Sequence, residues 1–118
     1  MEKIVRQALL YDFYGELLTE HQKRIYEEVV IEDLSYTEIG NIEGISRQGV
    51  YDLIKRCDKI LEEYEAKLKL IEKFEKAKSM VLSISDIANK LKDNNDNKVL
   101  NNDIDEIVRL SKAIYEEI

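Results

Sequence analysis

Proline is absent from all 118 residues, and glycine occurs only four times. The two strongest helix breakers are therefore missing from most of the chain, which favours long uninterrupted helices. Strands are no better served, because alternating apolar and polar runs with β-branched enrichment do not occur. A single cysteine, Cys57, cannot form an internal disulfide, so a reducing cytoplasm is the natural home. With one cysteine and one histidine, His21, no zinc site of the usual ligand count can form within one chain. No glycine-rich phosphate loop is present. The start, Met1-Glu-Lys-Ile-Val-Arg-Gln, lacks the apolar core of a signal peptide, and no apolar run approaches membrane-spanning length. The sequence predicts an all-α, cytoplasmic, non-enzymatic chain that takes no cofactor and enters no membrane.

What is present is a helix-turn-helix grammar between Ser35 and Arg56. Ser35 followed by Glu38 is a capping box, in which hydroxyl and carboxylate each satisfy an orphan backbone N–H at a helix start. The short helix it opens should turn Ile39 and Ile42 inward and stop at Gly44, which can adopt the left-handed conformation without a Cβ clash. Ile45 should plug the corner, and Ser46 should cap a second helix. Val50, Leu53 and Ile54 then recur at helical spacing and can pack back on the first helix. Gly40 falls where the two helices must cross closely. Glu43 departs from the pattern, since such units usually bury an aliphatic side chain just before the turn glycine; Ile42 is the neighbour placed to take over that burial. Two helices joined by a tight glycine turn offer the second helix to a groove.

If Val50, Leu53 and Ile54 point inward, Arg47, Gln48, Tyr51, Asp52 and Lys55 project outward, with Arg56 beside them. Arginine and glutamine suit base edges, and arginine, lysine and tyrosine suit phosphates. The same set would serve a protein or RNA surface. Charge argues against tight generic DNA binding. The whole chain carries -7. Between Ser35 and Leu61, four cations (Arg47, Lys55, Arg56, Lys59) are matched by four anions (Glu38, Glu43, Asp52, Asp58), giving zero net. Nucleic-acid binders usually carry a basic footprint instead.

Elsewhere the periodicity predicts a helix over residues 2–18, carrying Ile4, Val5, Ala8, Leu9, Tyr11, Phe13 and Leu17. A second capping box, Thr19 with Gln22, opens a helix through Ile25, Tyr26, Val29 and Val30. His21 sits in its first turn as a solvent-facing residue or cap auxiliary, and Cys57 reads as a small buried hydrophobe. The helix begun at Ser46 meets no breaker before about Ser79, a length on the order of 50 Å at ~1.5 Å per residue. That length suggests an exposed arm, a coiled coil or a kinked pair of helices. Heptads read from Val50 place Val50, Cys57, Tyr64 and Ile71 at a, and Leu53, Ile60, Lys67 and Phe74 at d; Lys67 interrupts the seam. Glu62, Glu63, Glu65 and Glu72 alternate with lysines, as on a solvated face.

Past Ser79 a short stripe of Ile84, Ile87, Ala88 and Leu91 restarts behind Ser83 or Ser85. An Asn-rich connector follows over 93–102. Asp103 with Glu106 should cap a last helix. These patterns divide the chain into a helix-turn-helix domain at 1–62 and a helical extension at 63–118, packed on the first or on a second protomer. A homodimer built partly on residues 64–80 is expected, because Leu68, Ile71 and Phe74 otherwise face water.

The run from Leu18-Thr-Glu-His-Gln through Ser46-Arg-Gln-Gly-Val-Tyr-Asp to Lys59-Ile-Leu-Glu resembles region four of bacterial sigma factors. It resembles still more closely the YlxM family of small bacterial proteins, which Phe13-Tyr-Gly-Glu-Leu-Leu-Thr and Tyr64-Glu-Ala-Lys-Leu also fit. The resemblance covers roughly residues 2–72. Gly40 and Gly49 stand where relatives usually show alanine. The resemblance implies an accessory or regulatory protein of the signal recognition particle pathway, with the particle's protein or RNA as partner. A sigma-like transcription role with a DNA partner is the alternative it implies.

Overall fold

A computed structural model describes residues 2–118, which fold as six α-helices and no strand among the described residues. Helix α1 (Lys3–Tyr14) ends four residues earlier than its periodicity predicts, and Gly15–Leu17 tightens into a 3-10 turn. The Tyr11 ring lies over Gly15, where a Cβ would come within 2.8 Å of it. Helix α2 (Glu20–Val30) starts at the predicted Thr19–Gln22 capping box, both halves of which form. Helix α3 (Tyr36–Glu43) starts at Ser35, whose hydroxyl accepts from the Glu38 N–H at 3.0 Å. Helix α4 (Arg47–Leu68) starts at Ser46, which accepts from the Gly49 N–H at 2.9 Å.

The corner between α3 and α4 is built on two glycines. Gly44 takes φ 71°, and the Ile45 N–H reaches back to the Gly40 carbonyl at 3.0 Å. That 6→1 bond is the Schellman helix ending. A Cβ on Gly40 would stand 2.7 Å from the Ile45 carbonyl oxygen, so the corner closes only because residue 40 has no side chain. The backbone, not the Ile45 side chain, fills the corner: Ile45 is 38% exposed. The burial expected of Ile42 is also absent, since it is 66% exposed. Glu43 holds the inward place and is neutralised there by Arg24, whose Nε and Nη2 reach its two carboxylate oxygens at 3.0 and 2.9 Å.

One compact unit comprises residues up to Ile71, nine beyond the sequence-based boundary at 62. Helix α4 is its axle, contacting α1, α2 and α3. Its buried residues are Val50, Ile54, Cys57, Leu61 and Glu65, a stripe rotated from the heptad reading, in which Leu53 and Ile60 are only half-buried. Against it pack Leu10, Tyr14, Ile25, Tyr26 and Ile39. Most polar groups bordering this core are paired, as burial requires, with Glu28 Oε2 a buried exception among the described residues. Asp58 accepts from the Tyr26 hydroxyl at 2.7 Å and from Gln7 Nε2 at 3.0 Å, while Arg6 grips Glu62 through two bonds of 3.0 Å. Burial pushes the Tyr26 hydroxyl's pKa up, and its bond to Asp58 adds to the rise.

The expected continuous helix from Ser46 to Ser79 is broken at Lys69, which takes φ 54° between α4 and α5 (Leu70–Asp93). The break is tied from outside the helix. Tyr14 Oη accepts from the Leu70 N–H at 3.2 Å and donates to Glu65 Oε1 at 2.5 Å; the same carboxylate oxygen accepts from the Ile71 N–H at 3.0 Å. Glu65 is therefore buried rather than part of a solvated face, and Ile71 is sealed within the first unit.

The second compact unit, Glu72–Ile118, holds the remainder of α5 and helix α6 (Lys98–Glu117). No helix restarts at Ser83 or Ser85, and α6 begins five residues before Asp103. Its cap is Asn97, whose side-chain oxygen accepts from the Val99 and Leu100 N–H groups at 3.0 and 3.2 Å. Asn101 Nδ2 donates to the Asn95 carbonyl at 2.9 Å, so the Asn-rich segment is a tight turn. Lys92 meets Asp105 at 2.7 Å near that turn and Lys78 lies over the Tyr115 ring at 4.5 Å, which sets the two helices antiparallel.

Candidate protein or nucleic-acid interface

The first half of α4 carries every side chain that the helix-turn-helix pattern assigns to a partner. Its inward stripe of Val50 and Ile54 leaves Arg47, Gln48, Tyr51, Asp52, Lys55 and Arg56 exposed. These residues are not equally free. Gln48 Nε2 donates to Asp52 Oδ1 at 2.9 Å, one turn along the helix. That bond orients the amide and partly occupies the carboxylate that would otherwise repel phosphate. Lys55 Nζ lies 5.4 Å from the centre of the Tyr51 ring, a cation–π contact. Arg47 and Arg56 make no ion pair among the described residues.

The sequence reading missed two residues of this surface, Tyr36 and Lys3. Tyr36, the first residue of α3, meets Tyr51 edge to face with ring centres 5.9 Å apart. Together with Arg47 and Gln48 the two tyrosines line an open groove of about 430 Å³. A neighbouring open groove of about 530 Å³ shares Tyr36 and Arg47 and adds Lys3, Asp33 and Thr37. The clue to Tyr36 was its place directly after the Ser35 cap, which sets an aromatic side chain at the start of a helix on the α4 side. Lys3 gave no such signal, because its role depends on how α1 crosses α4.

Chemically this surface can donate hydrogen bonds from a planar guanidinium, stack a flat group on tyrosine and accept through Asp52. Its cations, Arg47, Lys55 and Arg56, share the face with one acid, Asp52. No group of three or more His, Cys, Asp or Glu able to hold a metal occurs among the described residues. Cys57 is buried, and burial pushes its thiol up to about 11, so it is protonated at neutral pH. His21 Nε2 stands 3.9 Å from Glu43 Oε2. No helix among the described residues is long and apolar enough to cross a membrane.

Comparison with known proteins places this surface in a family context. Residues 1–107 match the family described as "Putative helix-turn-helix protein, YlxM / p13 like". The chain belongs to the UPF0122 family. A UPF0122 protein of Shouchella clausii is 44% identical over 84 residues, covering 71% of this chain and 77% of the relative. Another, from Clostridium novyi, is 45% identical over 85 residues, covering 70% and 74%. A third, from Caldanaerobacter subterraneus, reaches 47% identity over 79 residues, or 67% of this chain and 68% of the relative. The family model runs to residue 107, through α5 and into the first half of α6.

Proposed function

We propose that this UPF0122 chain is a cytoplasmic, non-enzymatic regulator or accessory protein that acts through the exposed face of α4 on a protein or RNA partner. The observation that carries this reading is the mixed character of that face. Two unpaired arginines, Arg47 and Arg56, flank an Asp52 held in place by Gln48. A face built that way selects a partner by hydrogen-bond geometry and gains little from counterion release. The YlxM resemblance supports the signal recognition particle as the system concerned. The second reading, a DNA-binding transcription regulator, is favoured by Arg47 and Gln48 standing in the first turn of α4, where helix-turn-helix proteins read base edges.

The two readings separate in one titration series. The intact protein is titrated with the particle's RNA, with its GTPase protein and with a mixed-sequence DNA duplex, each at two salt concentrations. Saturable binding to the RNA or the GTPase, lost in Arg47→Ala without a change in melting temperature, is the expected result. Generic duplex should bind weakly, with few of the ~0.9 log-unit salt increments that each neutralised phosphate contributes. Submicromolar affinity for the duplex at physiological salt would overturn this reading and establish the transcription role.

A further inference from the structure

The hairpin of α5 and α6 buries the wrong residues for a free-standing element. Its inner seam runs through Val81, Ser85 and Ala88 on one helix and Ile104, Val108 and Ser111 on the other, mostly small side chains. Larger aliphatic residues lie one position before four of these: Ile84 and Ile87 precede Ser85 and Ala88, and Ile107 and Leu110 precede Val108 and Ser111, with Leu91 and Ile114 one turn further along. Ile84, Ile87 and Leu91 on α5 and Ile107, Leu110 and Ile114 on α6 are between 45% and 59% exposed.

The position of these stripes follows from helix geometry. A step of one residue back rotates a side chain by about 100° around a right-handed helix. Because the two helices run antiparallel, the rotation carries both stripes to the same side of the hairpin. The residues one position after the seam fall on the other side and are polar apart from Leu82: Asp86, Asn89, Asp105, Arg109 and Lys112. The unit is a two-helix layer with one apolar face and one polar face.

We propose that this apolar face is the homodimer interface of the protein, closing two hairpins face to face into a four-helix bundle. Three observations favour a second copy. Six aliphatic residues each about half exposed make a patch at the upper end of the roughly 300–600 Å² that ordinary monomers leave in water, and of the order that stable interfaces bury on each partner. Two amphipathic helices with a small-residue seam lack a core of their own, and two such layers supply the standard bundle core. Charge is compatible with self-pairing despite the chain's -7. From Glu72 to Asp93, α5 has five lysines and four acids, whereas α6 has three cations and five acids. A two-fold arrangement that lays each α5 across the partner's α6 sets a +1 helix against a -2 helix, with uncharged aliphatic residues between them. The interface therefore lies on residues 84–114, beyond the 64–80 span that periodicity suggested, because Ile71 is already sealed inside the first unit.

Light scattering on the intact chain tests this directly. Twice the single-chain mass is expected at about 10 µM, within the range reached by interfaces of this size. Ile87→Glu combined with Ile107→Glu should give the single-chain mass with helix content by circular dichroism unchanged. Leu82→Glu, equally exposed but on the opposite face, should remain dimeric. Ile87→Ala with Ile107→Ala keeps two good helix formers and should weaken the dimer by at least ~10-fold, which preserves the test should the glutamates unfold the hairpin. A single-chain mass for the intact protein at high micromolar concentration would overturn the proposal and mean that the face is covered in cis or by a different protein. A dimer that survives the double substitutions would overturn it equally, by placing the interface elsewhere.

Discussion

Among the described residues two helices end at a left-handed C-cap, α3 at Gly44 and α4 at Lys69, and the two corners are built differently; the third left-handed residue, Asp33, lies in the loop after α2. At Gly44 the glycine itself permits the turn. A Cβ there would meet nothing within 4 Å, so only backbone conformation is at stake. At Lys69 an ordinary residue is held at φ 54° in spite of its side chain. The holding groups lie elsewhere: the Tyr14 hydroxyl from α1 and the Glu65 carboxylate, which capture the N–H groups of Leu70 and Ile71. The left-handed conformation costs a non-glycine residue roughly 1–2 kcal/mol. Two satisfied N–H groups and a buried Ile71 outweigh that. A corner can thus be encoded locally or imposed by contacts distant in sequence.

The largest expected effect comes from removing the imposed corner's acceptor. Glu65→Ala leaves the Tyr14 hydroxyl and the Ile71 N–H facing each other across a buried site with no oxygen between them. Each stranded donor costs about 1–3 kcal/mol, so the loss in chemical denaturation should be about 3 kcal/mol. Amide exchange at Leu70 and Ile71 should quicken well before that of Val50. A loss below about 1 kcal/mol would show that Lys69 is held by something other than this triad, and the contrast with Gly44 would fail.

A swap at the two corners sharpens the contrast further. Gly44→Val should cost about 1–2 kcal/mol, since a β-branched residue pays the left-handed penalty with no compensating contact. Lys69→Gly should change stability by less than about 1 kcal/mol, because relief of strain is offset by the entropy glycine loses on folding. Thermal unfolding of the two variants side by side reads the difference. Equal losses would mean that the Lys69 side chain contributes something beyond its backbone.

These two corners also show what can be read from the sequence and what cannot. The Gly44 corner, the Ser46 cap and the Thr19–Gln22 box are local devices, and the sequence identifies each. Lys69 carries no local sign, because its cause is Tyr14, more than fifty residues away. The same division holds at finer scale. The last helix is capped by Asn97 and not by Asp103, because several polar residues in a row can cap a helix and the Asn95–Asn101 clasp selects one. Ile42 was expected inside because it is apolar, yet Arg24 from α2 makes the inward place suit Glu43. At the candidate interface, the α4 residues could be read from one helix's periodicity, while Tyr36 required knowing how closely α3 approaches α4.

That Glu43–Arg24 pair gives the smallest and most specific effect, one that neither corner produces alone. The Arg24 guanidinium, through its hydrogen bonds and then its charge, holds the Glu43 carboxyl below the ordinary value of 4.5. The unfolded chain therefore takes up a proton before the folded one does. The pair's contribution is fully present above 4.5 and is lost as pH falls through the folded value. Glu43→Leu restores the aliphatic residue that helix-turn-helix units usually carry at this place and removes the proton-linked step. Its stability should differ little from the parent's at neutral pH and should fall less steeply in acid. Denaturation curves at neutral pH and in mild acid check both arms. A parent and variant that lose stability in parallel would mean that Glu43 is held by shape alone, and that the first corner owes its acid sensitivity to other carboxylates.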